Sequence, residues 1–287
     1  MADIKIGIIG GSGLYDLPDV KVIDNISIAT PFGQPSDQYT IVDINGIRAV
    51  FLPRHGRGHR LLPGEIPAKA NIYGFKTLGV DKIIAISAVG SLQEKIAPED
   101  FVLPDQVIDR TKHRDASFFG NGIAGHISFA DPFCTGLIDI IYDTIQKQNR
   151  VKLHKGGTYI CMEGPAFSSK AESNLYRSWQ ASVIGMTALP EAKLAREAEM
   201  CYALIAMSTD YDCWKEDTEA VSVDMLIKHM QQNTANIKTL LPSIIKNIAA
   251  YQKCAHHEAA RYAVITDKNK IPEQVKNKLA RLYEKYF

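Results

Sequence analysis

The sequence predicts an α/β fold: a single domain whose central mixed, mostly parallel sheet is flanked by helices. Two observations carry that expectation. Short apolar runs rich in β-branched residues alternate with longer segments whose apolar positions recur every three or four residues. These are the periods of strand and helix, and their alternation is the pattern of an α/β sheet. No internal repeat, low-complexity tract or Pro/Gly/Ser-rich linker divides the 287 residues, so one core is the simpler reading.

Taken in order, strand chemistry occurs at Ile4–Ile9, Ala49–Leu52, Lys82–Ser87, Phe101–Val107, Thr158–Cys161, Ser182–Met186 and Ala203–Ser208. Helical spacing occurs at Pro67–Leu78, Pro132–Gln148, Ala171–Trp179 and Pro190–Glu199. After Asp212 the chain changes character: Val221–Gln232 and Ile237–Ile248 read as two long amphipathic helices and Pro272–Phe287 as a third. Residues 1–250 are read as the main domain, and 251–287 as a C-terminal helical extension packing on it.

Composition narrows the function classes. Lys and Arg total 33 against 32 Asp and Glu, so no global field favours nucleic acid or an anionic membrane. The apolar run at the N-terminus is too short for a secretory signal, and nowhere do about 20 consecutive apolar residues appear; a cytoplasmic protein is expected. The five cysteines (Cys134, Cys161, Cys201, Cys213, Cys254) are odd in number and form no CxxC pair. That argues against a disulfide framework and a structural zinc site, and predicts reduced, mostly buried thiols.

The informative motifs fall at the C-terminal ends of the predicted strands, where open α/β sheets gather ligands. Gly10-Gly11-Ser12-Gly13 can aim several backbone N–H groups at one point beside the Ser12 hydroxyl. It is neither GxGxxG nor a P-loop, and a plain tight turn is the competing account. Arg54-His55-Gly56-Arg57-Gly58-His59-Arg60 sets five cationic or potentially cationic side chains in seven residues. A guanidinium fork suits phosphate, although a solvated basic loop has the same composition. Ser87 and Ala88 are small and hydroxylated or close-packing. Thr187, just before a helix, is an anion ligand or a simple helix cap. Asp210-Tyr211-Asp212 pairs two carboxylates, one of which burial could equip to hold a proton. A magnesium site is disfavoured because no third carboxylate of matching context appears. Phosphate held by Ser12, Arg54, His55, Ser87 and Thr187 beside an acid is the arrangement phosphorolysis requires.

Seven motifs in order, GIIGGSGL, RHGRGH, SAVGSL, DQVIDRT, EGPAFSSKAES, MTALPEAKLAREAE and STDYDCW, resemble those of the methylthioadenosine phosphorylases in the trimeric purine nucleoside phosphorylase superfamily. The resemblance runs from about Ile4 to Ile248 and implies a nucleoside phosphorylase-like fold. It implies phosphorolysis of S-methyl-5′-thioadenosine to adenine and 5-methylthioribose 1-phosphate, with inorganic phosphate as co-substrate and neither cofactor nor metal. By this resemblance Ser12, Arg54, His55, Ser87, Ala88 and Thr187 contact phosphate and Met186 the ribose. Asp210 and Asp212, with Tyr211 between them, read the base, and Asp210 is the catalytic acid. Relatives acting on 6-oxopurines tend to carry Asn at that acidic position, which favours adenine. Phe167 and Ser168 resemble residues along the purine ring. Val221, Val223 and Leu226 resemble the lining of a methylthio pocket, though ordinary helix core has the same pattern. His126 resembles a residue that reaches a neighbouring subunit's substrate, which implies a homotrimer, with a hexamer as the alternative. The rivals are a phosphorylase for methylthioinosine, adenosine or inosine, a hydrolytic nucleosidase, and a non-catalytic nucleotide-binding protein.

Overall fold

The computed structural model describes residues 4–11, 20–215, 223–252 and 254–287. Among them, strands β1 (Ile6–Gly10), β2 (Lys21–Ile26), β3 (Tyr39–Ile44), β4 (Ile47–Pro53), β5 (Lys82–Ser91) and β6 (Phe101–Leu103) are followed by β7 (Gln106–Arg110), β8 (Leu153–Lys155), β9 (Thr158–Met162), β10 (Val183–Gly185) and β11 (Cys201–Asp210). All belong to one mixed sheet ordered β2-β3-β4-β1-β5-β10-β9-β7, with β11 joining at β5 and carrying β6 and β8. Helices α1 (Ala68–Thr77), α2 (Thr135–Gln148), α3 (Lys170–Ser178), α4 (Ala188–Glu197), α5 (Val223–Ala249) and α6 (Glu273–Tyr283) flank it.

The sheet is mostly parallel where the chemistry will sit: β4, β1, β5 and β11 run side by side in one direction. Antiparallel pairs lie at β2–β3–β4, β5–β10 and β6–β11. Every residue of β11 from Cys201 to Thr209 is buried, as expected of a parallel strand covered on both faces. Helices α2 and α5 pack on each other and on β11, while α1 and α4 pack together and α4 also meets β11.

Several predicted boundaries move. The run Phe101–Val107 is two strands, because Pro104 has no N–H for a ladder; β6 joins β11 and β8, whereas β7 joins β9. The two helices expected after Asp212 are one, α5, with Pro242 inside it. The polar step at Asn233 that breaks its apolar period is itself buried, and its Nδ2 donates to the Ser208 carbonyl at 2.8 Å. Strands β2, β3 and β8 escape a pattern search: β2 is a polar, exposed edge and β8 has only three residues. Residues 251–287 pack against the rest through α6, where Tyr283 is fully buried and stacks on Phe119, and Arg281 donates to the Thr77 carbonyl. Among the described residues no helix is long and apolar enough to cross a membrane.

The expectation of five reduced thiols needs correction. Cys201, at the start of β11, and Cys254, in the C-terminal extension, are joined sulfur to sulfur, while Cys134, Cys161 and Cys213 are free. The partners stand 53 residues apart, a separation that leaves no local signature.

Close packing between α1 and β3 depends on Gly74, because a Cβ there would collide with the ring and hydroxyl of Tyr39. That hydroxyl donates to the Asn71 carbonyl at 2.7 Å. Gly74→Ala is expected to lower stability by about 1–3 kcal/mol, the usual cost of overpacking, and a urea midpoint equal to wild type would contradict this packing.

Candidate active site

A cleft of about 400 Å³ opens where β1, β4, β5, β10 and β11 end or fork. Its walls include Arg54, His55, Ser87, Ala88, Phe167, Met186, Thr187, Asp210 and Asp212, so most of the residues singled out in sequence meet in one place. The predicted end of the third strand shifts: β5 continues through Ser91 by pairing with β10 and β11. Ser87 and Ala88 are therefore strand residues that face the cleft where β5 parts from β1.

Arg54 is 1% exposed. Its Nε and Nη2 donate to the two carboxylate oxygens of Glu191 at 2.5 and 3.1 Å, Nη1 to the Ile86 carbonyl at 2.9 Å, and Nη2 to the Ile9 carbonyl at 3.3 Å. Among the described residues four of its five N–H donors are thereby occupied, leaving one on Nη1 for a ligand. Burial pushes the Arg54 pKa down, but the adjoining Glu191 carboxylate outweighs it and the group is raised. Glu191 lies in the first turn of α4, where the helix dipole favours an anion, and accepts a further bond from the Tyr202 hydroxyl at 3.0 Å.

Beside it, His55 bonds through Nδ1 to the Leu61 carbonyl at 2.8 Å and stacks on His59 with ring centroids 4.1 Å apart. Burial first, with the Arg54 and His59 charges, lowers its pKa to about 4. The neutral ring must carry its proton on Nδ1 to bond that carbonyl, which leaves Nε2 as an acceptor. Across the cleft the Ser87 and Thr187 hydroxyls stand 3.0 Å apart. Thr187 precedes α4 but makes no side-chain cap bond, so its hydroxyl is not engaged in capping. Gly11, which follows β1, also lines the cleft.

At the other end the Asp212 backbone and the Thr209 hydroxyl hold the Asp210 carboxylate. Asp210 Oδ1 accepts from the Asp212 N–H at 2.7 Å and Oδ2 from the Thr209 hydroxyl at 2.7 Å. Asp212 has φ of 52°, a conformation Asp tolerates better than most residues. Its pKa is raised, by burial first and also by the Asp210 charge. Arg114 donates to the Met186, Leu189, Met162 and Glu163 carbonyls and so pins the segments around Met186. Phe167 lines the cleft yet is 79% exposed, leaving an aromatic face open to a flat ligand.

Other sequence candidates lie elsewhere or beyond description. Ser12 lies outside the described residues, as does Val221, and nothing is described of the Val223 and Leu226 side chains. Ser168 is buried and bonds to Met162 Sδ at 3.8 Å, and its carbonyl accepts from the Cys213 thiol. Tyr211 packs edge-on against Trp214, and its hydroxyl bonds to the Glu94 carbonyl. His126 does not line its own chain's cleft; its N–H donates to the Ala263 carbonyl. Sequence reasoning missed His59, Met162, Thr209, Met230, Asn233 and Thr234 in the wall. His59 was visible in the basic loop, and Met230, Asn233 and Thr234 share a face of α5 at three- and four-residue spacing.

The His55 environment makes stability depend on pH. Between its ordinary value of 6.5 and about 4, the unfolded chain binds a proton there that the folded chain refuses. The contribution of the neutral ring is full above pH 6.5 and is lost as pH falls through about 4. Urea titrations at intervals across this range should show a shallower loss for His55→Gln than for wild type; parallel curves would refute the assignment.

Comparison with known proteins places this geometry in a lineage. The model of the Phosphorylase superfamily matches residues 5–246. The S-methyl-5′-thioadenosine phosphorylase of Geobacter sulfurreducens is 53% identical over 98% of both chains. That of Thermosynechococcus vestitus is 51% identical over 98% of this chain and 99% of its own. Among solved structures, a methylthioadenosine phosphorylase from an antarctic soil metagenomic library superposes with a TM-score of 0.95 at 44% identity, covering 99% of this chain and 100% of that one. The Schistosoma mansoni enzyme in complex with tubercidin gives 0.82 at 33% identity over 90% and 96%.

Proposed function

The chain belongs to the Phosphorylase superfamily, and from that premise we propose how its cleft cleaves S-methyl-5′-thioadenosine with inorganic phosphate to adenine and 5-methylthioribose 1-phosphate. The relatives' activity over nearly full-length alignments supports the substrate. The observation that carries the chemistry is one cleft with an anion corner of Arg54, Ser87 and Thr187 at one end and two acids at the other.

Phosphate sits below C1′, held by the remaining Nη1 N–H of Arg54, the two hydroxyls, Ala88, Gly11 and Ser12. His55 Nε2 accepts a hydrogen bond from a phosphate hydroxyl, and the ring stays neutral. Adenine stacks on Phe167 and its departure leads bond formation, so the ribose beside Met186 gains oxocarbenium character that the phosphate charge stabilises. Phosphate oxygen then bonds to C1′ with inversion as the C1′–N9 pair leaves with adenine. Asp210 delivers or shares the proton at N7, and Asp212, the carboxyl of raised pKa, reads the 6-amino edge and orients Asp210. The chemistry rests on positioning and electrostatic preorganisation, and we assign it no cofactor and no catalytic metal.

We also infer a cytosolic homotrimer, with a hexamer as the alternative, acting on small molecules rather than nucleic acid or membrane. The near balance of 33 cationic and 32 anionic side chains supports the choice of partner. His126 is assigned to a neighbour's 5′ site.

Adenine release from methylthioadenosine is expected only when phosphate is added, and Asp210→Asn should lower turnover by about 10²–10⁴-fold, the range for general acid catalysis. Phosphate-independent release would mean a hydrolase, and preference for methylthioinosine would overturn the roles of the two aspartates. Light scattering should report a trimer, and His126→Ala should raise KM for methylthioadenosine about tenfold, equivalent to one contact of about 1.4 kcal/mol. An active monomer would remove the cross-subunit role.

A further inference from the structure

Four side chains that the reaction does not use converge at the far end of β11. Cys134 precedes α2, Cys201 opens β11, and Cys254 and His256 lie in the C-terminal extension; their donor atoms all fall within 4.8 Å of one another. We propose that these residues form a structural binding site for a soft or borderline divalent cation, with Zn²⁺ the best match.

The donor set is the first argument. Three thiols and one imidazole make a Cys₃His site, which suits tetrahedral zinc. With Zn–S near 2.3 Å, thiolates around one ion lie about 3.8 Å apart, and Cys134 Sγ stands 3.5 Å from Cys254 Sγ. The second argument is the backbone. The Cα atoms of Cys201 and Cys254 are 7.0 Å apart, at the outer limit for bridging two cysteines without backbone movement, and a shared ion relieves that mismatch by parting the two sulfurs. A third is the imidazole beside the cluster. His257 Nε2 lies 3.4 Å from Cys201 Sγ and 3.3 Å from the Asp81 carbonyl, as outer-shell partners of metal ligands do. Binding follows reduction of the Cys201–Cys254 bond by a thiol reductant, which is itself oxidised to a disulfide and leaves two thiols; Zn²⁺ then displaces the three thiol protons, and the Cys₃His complex carries a net charge of −1, which Arg196 offsets.

The site is not catalytic. Cys201 and Asp210 stand at opposite ends of one strand, about 30 Å apart at the usual rise per residue. Its effect is to tie the C-terminal extension, through Cys254 and His256, to the sheet and to α2.

The test uses the tag-free full-length chain purified with Zn²⁺ and then freed of loose metal. Elemental analysis should find about one zinc per chain, and His256→Ala should lower zinc affinity more than about tenfold. That variant leaves a Cys201–Cys254 disulfide unaffected, so undiminished zinc binding in it would overturn the ligand set. Co²⁺ substitution of the wild-type chain should give a thiolate-to-metal charge-transfer band; its absence, or an intact disulfide in peptide maps of protein prepared without oxidant, would overturn the site.

Discussion

The buried ion pair of Arg54 and Glu191 is the constraint on which the cleft depends. Its guanidinium, at the end of β4, reaches the Ile9 carbonyl of β1, the Ile86 carbonyl of β5 and the carboxylate of α4, while Tyr202 of β11 holds that carboxylate from behind. Four parallel strands and one helix thus meet on two side chains. Two charges taken out of water cost several kcal/mol each before their attraction offsets the loss, so the pair is poor evidence for added stability. Its physical consequence is register: the strand ends and the first turn of α4 can take only one relative position if these four donors are to be satisfied.

The same pair shapes how an anion is held. Glu191 neutralises most of the Arg54 charge, so a phosphate at the remaining N–H meets a dipole-rich corner more than a free cation. Hydroxyls of Ser87 and Thr187 and the start of α4 supply that corner without charge of their own. A purely cationic grip would hold the dianion in place and blunt its attack. Dipoles fixed by the fold position it and leave its charge available to the forming oxocarbenium ion, the kind of interaction that grows toward the transition state.

Much of this was legible in the sequence, for identifiable reasons. Strands β1, β5 and β11 are buried on both faces and read as continuous apolar runs, and the residues that follow or end them had to be polar to line a cleft. The basic loop exposed Arg54 and His55, but not that Glu191 would occupy most of Arg54, since a partner 137 residues away has no local signal. Edge strand β2 and the continuity of α5 were hidden because polar edges and buried asparagines contradict the periodicities that reveal elements. The cysteines misled for the same reason: Cys134, Cys201 and Cys254 are brought together by three separate elements, and no spacing rule sees that.

Placement of Asp210 shows how backbone detail completes the site. Between Ser208 and Asp210 the register against β5 slips by one residue, and such a bulge turns the strand and re-aims the side chain that follows. Thr209, the extra residue, donates its hydroxyl to Asp210 Oδ2, and its carbonyl meets His229 Nδ1 from α5 at 2.9 Å. On the opposite strand Gly90 leaves room: a Cβ there would lie 3.1 Å from Asp210 Oδ1 and 3.2 Å from Ile184 Cγ2. A regular strand would send successive side chains to alternate faces and separate Asp210 from Asp212 by a full pleat. The bulge, the glycine and the left-handed Asp212 instead fold the two carboxylates onto one spot, and burial there raises the proton affinity of Asp212. The acid end of the cleft is therefore a property of backbone irregularity at the end of β11, as the phosphate end is a property of one buried ion pair.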